Sequence, residues 1–171
     1  MRIRKAFLST IAMATAGLLA APAVPADTLV TFKMLDADVA LEMAQAALDS
    51  CREKSFQVTV AVVDRMGVPQ VVLRDRFAGA HTPESAMRKA ATAVSFRSDT
   101  LSLAENTNSD SAHSGARFID GVLMLGGGVP VTAAGSVVAG IGVAGAPSSA
   151  DDHACAQAGI AAVMDRLELA E

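Results

Sequence analysis

The chain has no tryptophan and no tyrosine among its 171 residues, and only two cysteines. Without those aromatics, stacking platforms for single-stranded nucleic acid are scarce, and 18 Asp+Glu against 14 Lys+Arg leave too little positive charge to neutralise phosphates. Nucleic-acid binding is therefore excluded. The motif C-x-x-C-H, which attaches haem covalently, does not occur. His81, His113 and His153 are scattered without the spacing of zinc ligands. No G-x-S-x-G elbow occurs either, and His153 and Cys155, two residues apart, do not share a helix face. Hydrolytic catalysis has no visible apparatus.

Long apolar runs are missing beyond the first two dozen residues. The start, MRIRK, is basic, and Ala6 to Ala21 follow without a charge, the n-region and h-region of a secretory signal peptide. That run falls short of the roughly 20 residues that span a bilayer. Val24-Pro25-Ala26 places small residues three and one before a cut after Ala26, with Ala23 as second choice. The expectation is a periplasmic or secreted domain over 27–171, with no transmembrane anchor after cleavage. Cleavage removes Arg2, Arg4 and Lys5 and no acid, so eleven cations face eighteen carboxylates and the net charge is about −7. In an oxidising compartment Cys51 and Cys155 either form one disulfide or stay as two small buried thiols.

Along the mature chain, Asp36 is placed to cap a helix over Ala37 to Lys54 with an inward face of Ala40, Ala44, Ala47, Leu48 and Cys51. Gln57–Val63 and Val68–Leu73 flank Asp64-Arg-Met-Gly67 as a hairpin, with Pro69 keeping the second strand at an edge. Thr82 then Pro83 open a helix through Phe96. Glu105 to Arg117 reads as a polar loop, Val122 to Gly145 as three short strands turning at Ala133-Ala-Gly135, and Ala150 to Leu169 as a helix facing inward at Cys155, Ala158, Gly159, Ala162 and Val163. Hairpin-joined strands make an antiparallel sheet, so the fold class is α+β with helices covering the sheet.

Gly140-Ile-Gly-Val-Ala-Gly145 fits G-x-G-x-x-G, yet too little chain follows for a βαβ unit, and Asp151 and Asp152 would repel a phosphate at the next helix. Those glycines instead mark the close approach of a helix, a subunit or a flat ligand.

One segment gathers cations, an imidazole and a hydroxyl: Arg74, His81, Arg88, Lys89 and Thr92. Either Arg88 and Lys89 are a solvated helix face and His81 a surface loop residue, or the cations meet a ligand's carboxylates and His81 or Thr92 approaches a metal. His113 lies in the polar loop.

The blocks VAVVDRMGVPQVVLRD, AGAHTPESAMRKAATAVSF, LGGGVPVTAAGSVVAGIGVAGAP and DDHACAQAGI, in that order, resemble the GlcG/HbpS-like haem-binding family over nearly all of the mature chain. The resemblance implies a profilin-like fold, a five-stranded antiparallel sheet flanked by helices, with the first and last helices on one side, and assembly into a dimer or larger homo-oligomer. It implies non-covalent haem as the cofactor; for the iron His81 is the first candidate, because imidazole is a common haem ligand and His81 immediately precedes a helix N-cap, with Thr92 and His113 behind it, and Arg74, Arg88 and Lys89 offer charge to the propionates. Three functions follow: haem scavenging, buffering or redox sensing; haem breakdown or turnover of another small molecule; and ligand-free interaction with a membrane sensor or transporter.

Overall fold

Thr59-Val-Ala-Val-Val-Asp64 has no apolar-polar alternation, the pattern of a strand covered on both faces. In the computed structural model, which describes residues 29–169, it is such a strand. The expected signal segment, residues 1–26, lies outside the described residues. Val60 and Val62 face one layer of helices, while Ala61 and Val63 face another.

The elements are α1 (Ala37–Glu53), β1 (Thr59–Asp64), β2 (Pro69–Arg74), α2 (Thr82–Phe96), α3 (Thr100–Asn106), β3 (Gly128–Ala133), β4 (Ser136–Ala144), α4 (Ser149–Ala162) and α5 (Met164–Glu168). All strand pairs are antiparallel, in the order β2-β1-β4-β3. The fold is α+β and profilin-like, but the sheet has four strands rather than the expected five. The difference lies in 122–126, where Leu123 N donates to Thr92 Oγ1, Leu125 O accepts from Thr100 Oγ1, and Arg88 donates to Val122 O, while strand-like pairing begins only at Gly127, whose carbonyl accepts from Val143 N at 3.0 Å. Only two strands follow, turning through Ala134 and Gly135 at positive φ.

Local signals explain most element ends. Asp36 caps α1 by accepting from Asp38 N at 2.9 Å. In the β1–β2 turn, Asp64 Oδ1 accepts from the backbone N–H groups of Met66 and Val68. The N-cap of α2 falls on His81 rather than Thr82; Thr82 is the first helical residue and its hydroxyl bonds Gly79 O and Thr59 Oγ1, each at 2.7 Å. The polar stretch after α2 is partly ordered as α3 and a 3-10 turn over Ser114–Phe118. The last helix is shorter than expected, breaking at Val163 before α5, and Ala162 is exposed.

α1 and α4 cover one face of the sheet, where the main core of Met43, Leu48, Val58, Val60, Val131, Ile141 and Val143 sits. Their backbones come close because Gly159 replaces a side chain opposite Met43 O, 2.6 Å from where a Cβ would stand. At that contact Cys51 and Cys155 form a disulfide with Cα atoms 5.6 Å apart. The bridge joins residues 104 apart in sequence, and a loop of that size is expected to contribute about 2–5 kcal/mol. A Cys51→Ser, Cys155→Ser double variant should lose that much in denaturant unfolding. Thiol labelling of the denatured, unreduced parent should modify no cysteine; two labelled thiols per chain would rule the bridge out.

α2 covers the other face. Along β4 the side chains alternate, with Ala139, Ile141 and Val143 in the α1/α4 core and Gly140, Gly142 and Ala144 toward α2. A Cβ on Gly142 would fall on Ala86 O, and one on Gly140 would meet Ala90 O at 2.8 Å. The glycines of GIGVAG thus admit the protein's own helix backbone. Of the three close approaches the sequence allowed, the helix is the one observed.

Candidate functional site

α2 carries most of the residues expected to meet a ligand, and the structure divides them. His81, at its N-terminal end, is exposed and makes no capping hydrogen bond through its ring. Thr92 lies eleven residues further, about 16 Å along the helix at 1.5 Å per residue. One iron atom cannot have both within reach.

Lys89 is the largest departure from expectation. It belongs neither to a solvated face nor to a surface cation cluster: it is 1% exposed, and its ammonium donates to Asp152 Oδ2 at 2.7 Å and Val143 O at 2.9 Å. Asp152 uses its other oxygen to accept from Ala146 N at 2.9 Å. Burial pushes the Asp152 carboxyl above its ordinary pKa, against the pull of the Lys89 ammonium and its hydrogen bonds. The pair ties α2 to β4 and to the start of α4. Gly127 makes room for it, since a Cβ there would stand 3.1 Å from Lys89 Nζ and 2.8 Å from Asp152 Cβ.

Arg88 points the opposite way, toward the 120–122 segment. Its guanidinium donates to Val122 O at 2.7 Å and lies 3.7 Å from Glu84. Arg74 is exposed and donates to Ala78 O. His113 is exposed at the start of the 3-10 turn. The third histidine, His153, stands 4.0 Å from Asp99 with Nδ1 unpartnered. Burial works to raise the Asp99 carboxyl, but hydrogen bonds from the Ser102 N–H and hydroxyl, together with His153, hold it below its ordinary value. Among the described residues no group of three or more His, Cys, Asp or Glu is placed to hold a metal ion.

The large concavity lies at the other end of α2. A cleft of about 710 Å³ opens between the C-terminal half of that helix, the β1–β2 turn, residues 120–122 and the β3–β4 turn. That volume is within the range of small-molecule and cofactor sites. Ala91, Val94, Val122 and Val137 line it, with Arg65 and Arg97 as its cations and Asp120 as its carboxylate. Thr92 borders the cleft, the one expected site residue that does, but it is 1% exposed and its oxygen accepts from Leu123 N at 2.9 Å. None of the three histidines lines it.

The family profile described as "Haem degrading protein HbpS-like" matches residues 35–161. The chain belongs to the HbpS-like family. HbpS of Streptomyces reticuli, solved as a double mutant, is 43% identical, with 83% of this chain and 96% of that one covered and a TM-score of 0.75. PduOC, solved as a haem complex, is 27% identical over 75% of this chain and 94% of that one, with a TM-score of 0.70. The Klebsiella pneumoniae protein ORFY, at 22% identity, a TM-score of 0.77 and coverage of 81% and 96%, shares the fold. No curated protein matches the chain.

The HbpS-like match is broad, whereas of the cleft residues only Thr92 was singled out from the sequence. Arg65 and Met66 read as part of a tight turn, and Arg97 as the residue after a helix. Only the folding of two turns toward one helix end makes neighbours of residues about 30 positions apart.

Proposed function

We propose that the protein is an exported, non-covalent tetrapyrrole-binding protein that scavenges, buffers or senses haem. The observation that carries this reading is the ligand-sized cleft beside α2, where a few apolar side chains and two arginines share a mostly polar lining, in a chain of the HbpS-like family. Haem has a flat apolar body and two carboxylates; Val94, Val122 and Val137 offer contact to the first, and Arg65 and Arg97 to the second. PduOC, a relative with the same fold, was solved with haem bound. Export is supported by the basic, then apolar, then small-residue order of residues 1–26 and by the disulfide, a bond of oxidising compartments. Among the described residues no helix is long and apolar enough to cross a membrane.

Haem breakdown is the second reading, favoured by the description of the family. Titration of ferric haem into the purified mature chain, followed by absorbance, separates the readings. Binding predicts a shifted, saturable Soret band near one haem per chain that persists under reductant. Breakdown predicts its bleaching, with iron passing to a ferrous chelator. An unchanged haem spectrum removes both and leaves the interaction with a membrane sensor or transporter.

Assembly as a homo-oligomer belongs to the same proposal. Its support is exposed apolar surface, Phe77 at 78% and Phe118 at 86%, and no longer the glycines of β4, which α2 covers. A native mass of one 145-residue chain at micromolar concentration would refute it.

A further inference from the structure

A second cavity, of about 330 Å³, lies on the α1 side of the sheet and shares no lining residue with the cleft beside α2. The chain segment 33–36, the first turn of α1, the β3–β4 hairpin and α5 enclose it. The segment is pinned at Leu35, whose N–H donates to Val138 O at 3.3 Å and whose carbonyl accepts from Gln70 Nε2 at 3.1 Å. After the break at Val163, α5 brings Leu167 to the same place. At the hairpin Ala133 offers only a methyl group, so these elements meet around a space rather than filling it.

The walls and the mouth differ in chemistry. Leu35, Val39, Val138 and Leu167, all buried, form the floor, and half-exposed Met34 stands at the rim. Arg166 and Lys33 bring positive charge to the lining. The Arg166 Nη1 donates to Glu42 Oε2 at 2.5 Å, with both side chains half exposed. A guanidinium presents N–H groups on more than one edge of a planar fork, so Arg166 can keep Glu42 and still take a second carboxylate. Asp36 is the one carboxylate on the lining, and it caps α1 by accepting from Asp38 N.

Aliphatic walls with a few polar groups at the opening are the composition of small-molecule sites. The space is less than half that of the cleft, which suits a single flexible chain rather than a fused ring system. We propose that this cavity binds an aliphatic monocarboxylate of medium chain length, with its alkyl tail among Leu35, Val39, Val138 and Leu167 and its carboxylate on Arg166. The site is separate from the haem-binding reading and stands whether or not haem binds elsewhere on the chain.

Calorimetric titration of hexanoate, octanoate and 1-octanol, each below its aggregation limit, into the oxidised mature protein tests this. Octanoate is expected to saturate at one site per chain and to bind about tenfold more tightly than hexanoate, since each buried methylene tightens binding by about threefold to fourfold. Arg166→Gln removes the charge and keeps the walls, so it should weaken octanoate by about fivefold at low salt, less at high salt, and leave 1-octanol unchanged. Ala133→Phe fills the space and should abolish octanoate binding. Should that variant not fold, methyl chemical shifts of the parent answer the same question: octanoate is expected to move Leu35, Val39, Val138 and Leu167. Equal affinity for hexanoate and octanoate overturns the proposal, as does octanoate binding retained by a folded Ala133→Phe or methyl shifts confined to other residues. Octanoate affinity unchanged in Arg166→Gln at low salt overturns the carboxylate contact. Leu167 and Val138 methyl shifts that follow protein concentration without ligand would show a second copy of the chain in the cavity, and would overturn the proposal as well.

Discussion

Asp152→Ala should destabilise the fold by about 3–5 kcal/mol, although Asp152 lies outside the cleft and is close to no proposed ligand contact. The cost comes from the partner left behind. Lys89 is 1% exposed, and without the carboxylate its ammonium keeps only Val143 O as a hydrogen-bond acceptor. The Ala146 N–H loses its acceptor as well. Lys89→Met together with Asp152→Ala should be less damaging than Asp152→Ala alone, because the double change removes the stranded charge and Met fills similar space. Urea unfolding of the parent, both single variants and the double variant closes the cycle. A double variant as unstable as the sum of the two singles would show that the ion pair is not the unit being broken. Acidification is a different perturbation. Since burial raises the Asp152 pKa in the folded chain, the native state takes up this proton before the unfolded state does. The contribution of this carboxyl therefore favours folding fully below its ordinary range and declines as pH rises through the raised value.

Gly142→Leu should prevent folding or cost more than about 3 kcal/mol, beyond the usual range for overpacking, because the obstacle is backbone rather than a movable side chain. A Cβ at 142 falls on Ala86 O, and Ala90 N stands 2.8 Å away. Relief would require α2 to lift from the sheet. That would strip the cover from Ala61 and Val63 and pull Lys89 from Asp152. Gly115→Leu is the matched control, since nothing lies within 4 Å of a Cβ there. Circular dichroism and thermal melting of the two variants decide it. A cooperative Gly142→Leu melt close to that of Gly115→Leu would show that α2 does not rest on β4 as described.

These two sites differ in how far they can be read from the chain alone. The alternation in GIGVAG already implies a strand with large residues on one face and almost none on the other, and glycine in a strand implies that something comes close. What comes close is not a local property, because Ala86 and Gly142 are 56 positions apart in the sequence. Asp152 reads as a helix-start acid and Lys89 as a surface cation, and each reading is reasonable within its own helix. Their burial follows from two helices on opposite sides of the sheet reaching one point at the C-terminal end of β4, past Gly127, and no helical periodicity carries that.

The capping by Asp36, the β1–β2 hairpin, the edge position of Pro69 and the inward Cys51 were all set by residues within a few positions of each other, where backbone geometry and hydrogen-bonding chemistry act directly. The strand count was not, since the backbone of 122–126 could pair in a ladder or with side chains, and Thr92 and Thr100, brought in by α2 and α3, decided for the latter. The cleft was decided in the same way. Arg65, Met66 and Arg97 belong to two chain segments whose ends meet only after α2 has settled on β4, so their common surface is a product of packing, and free energy gained far from the cleft holds it open.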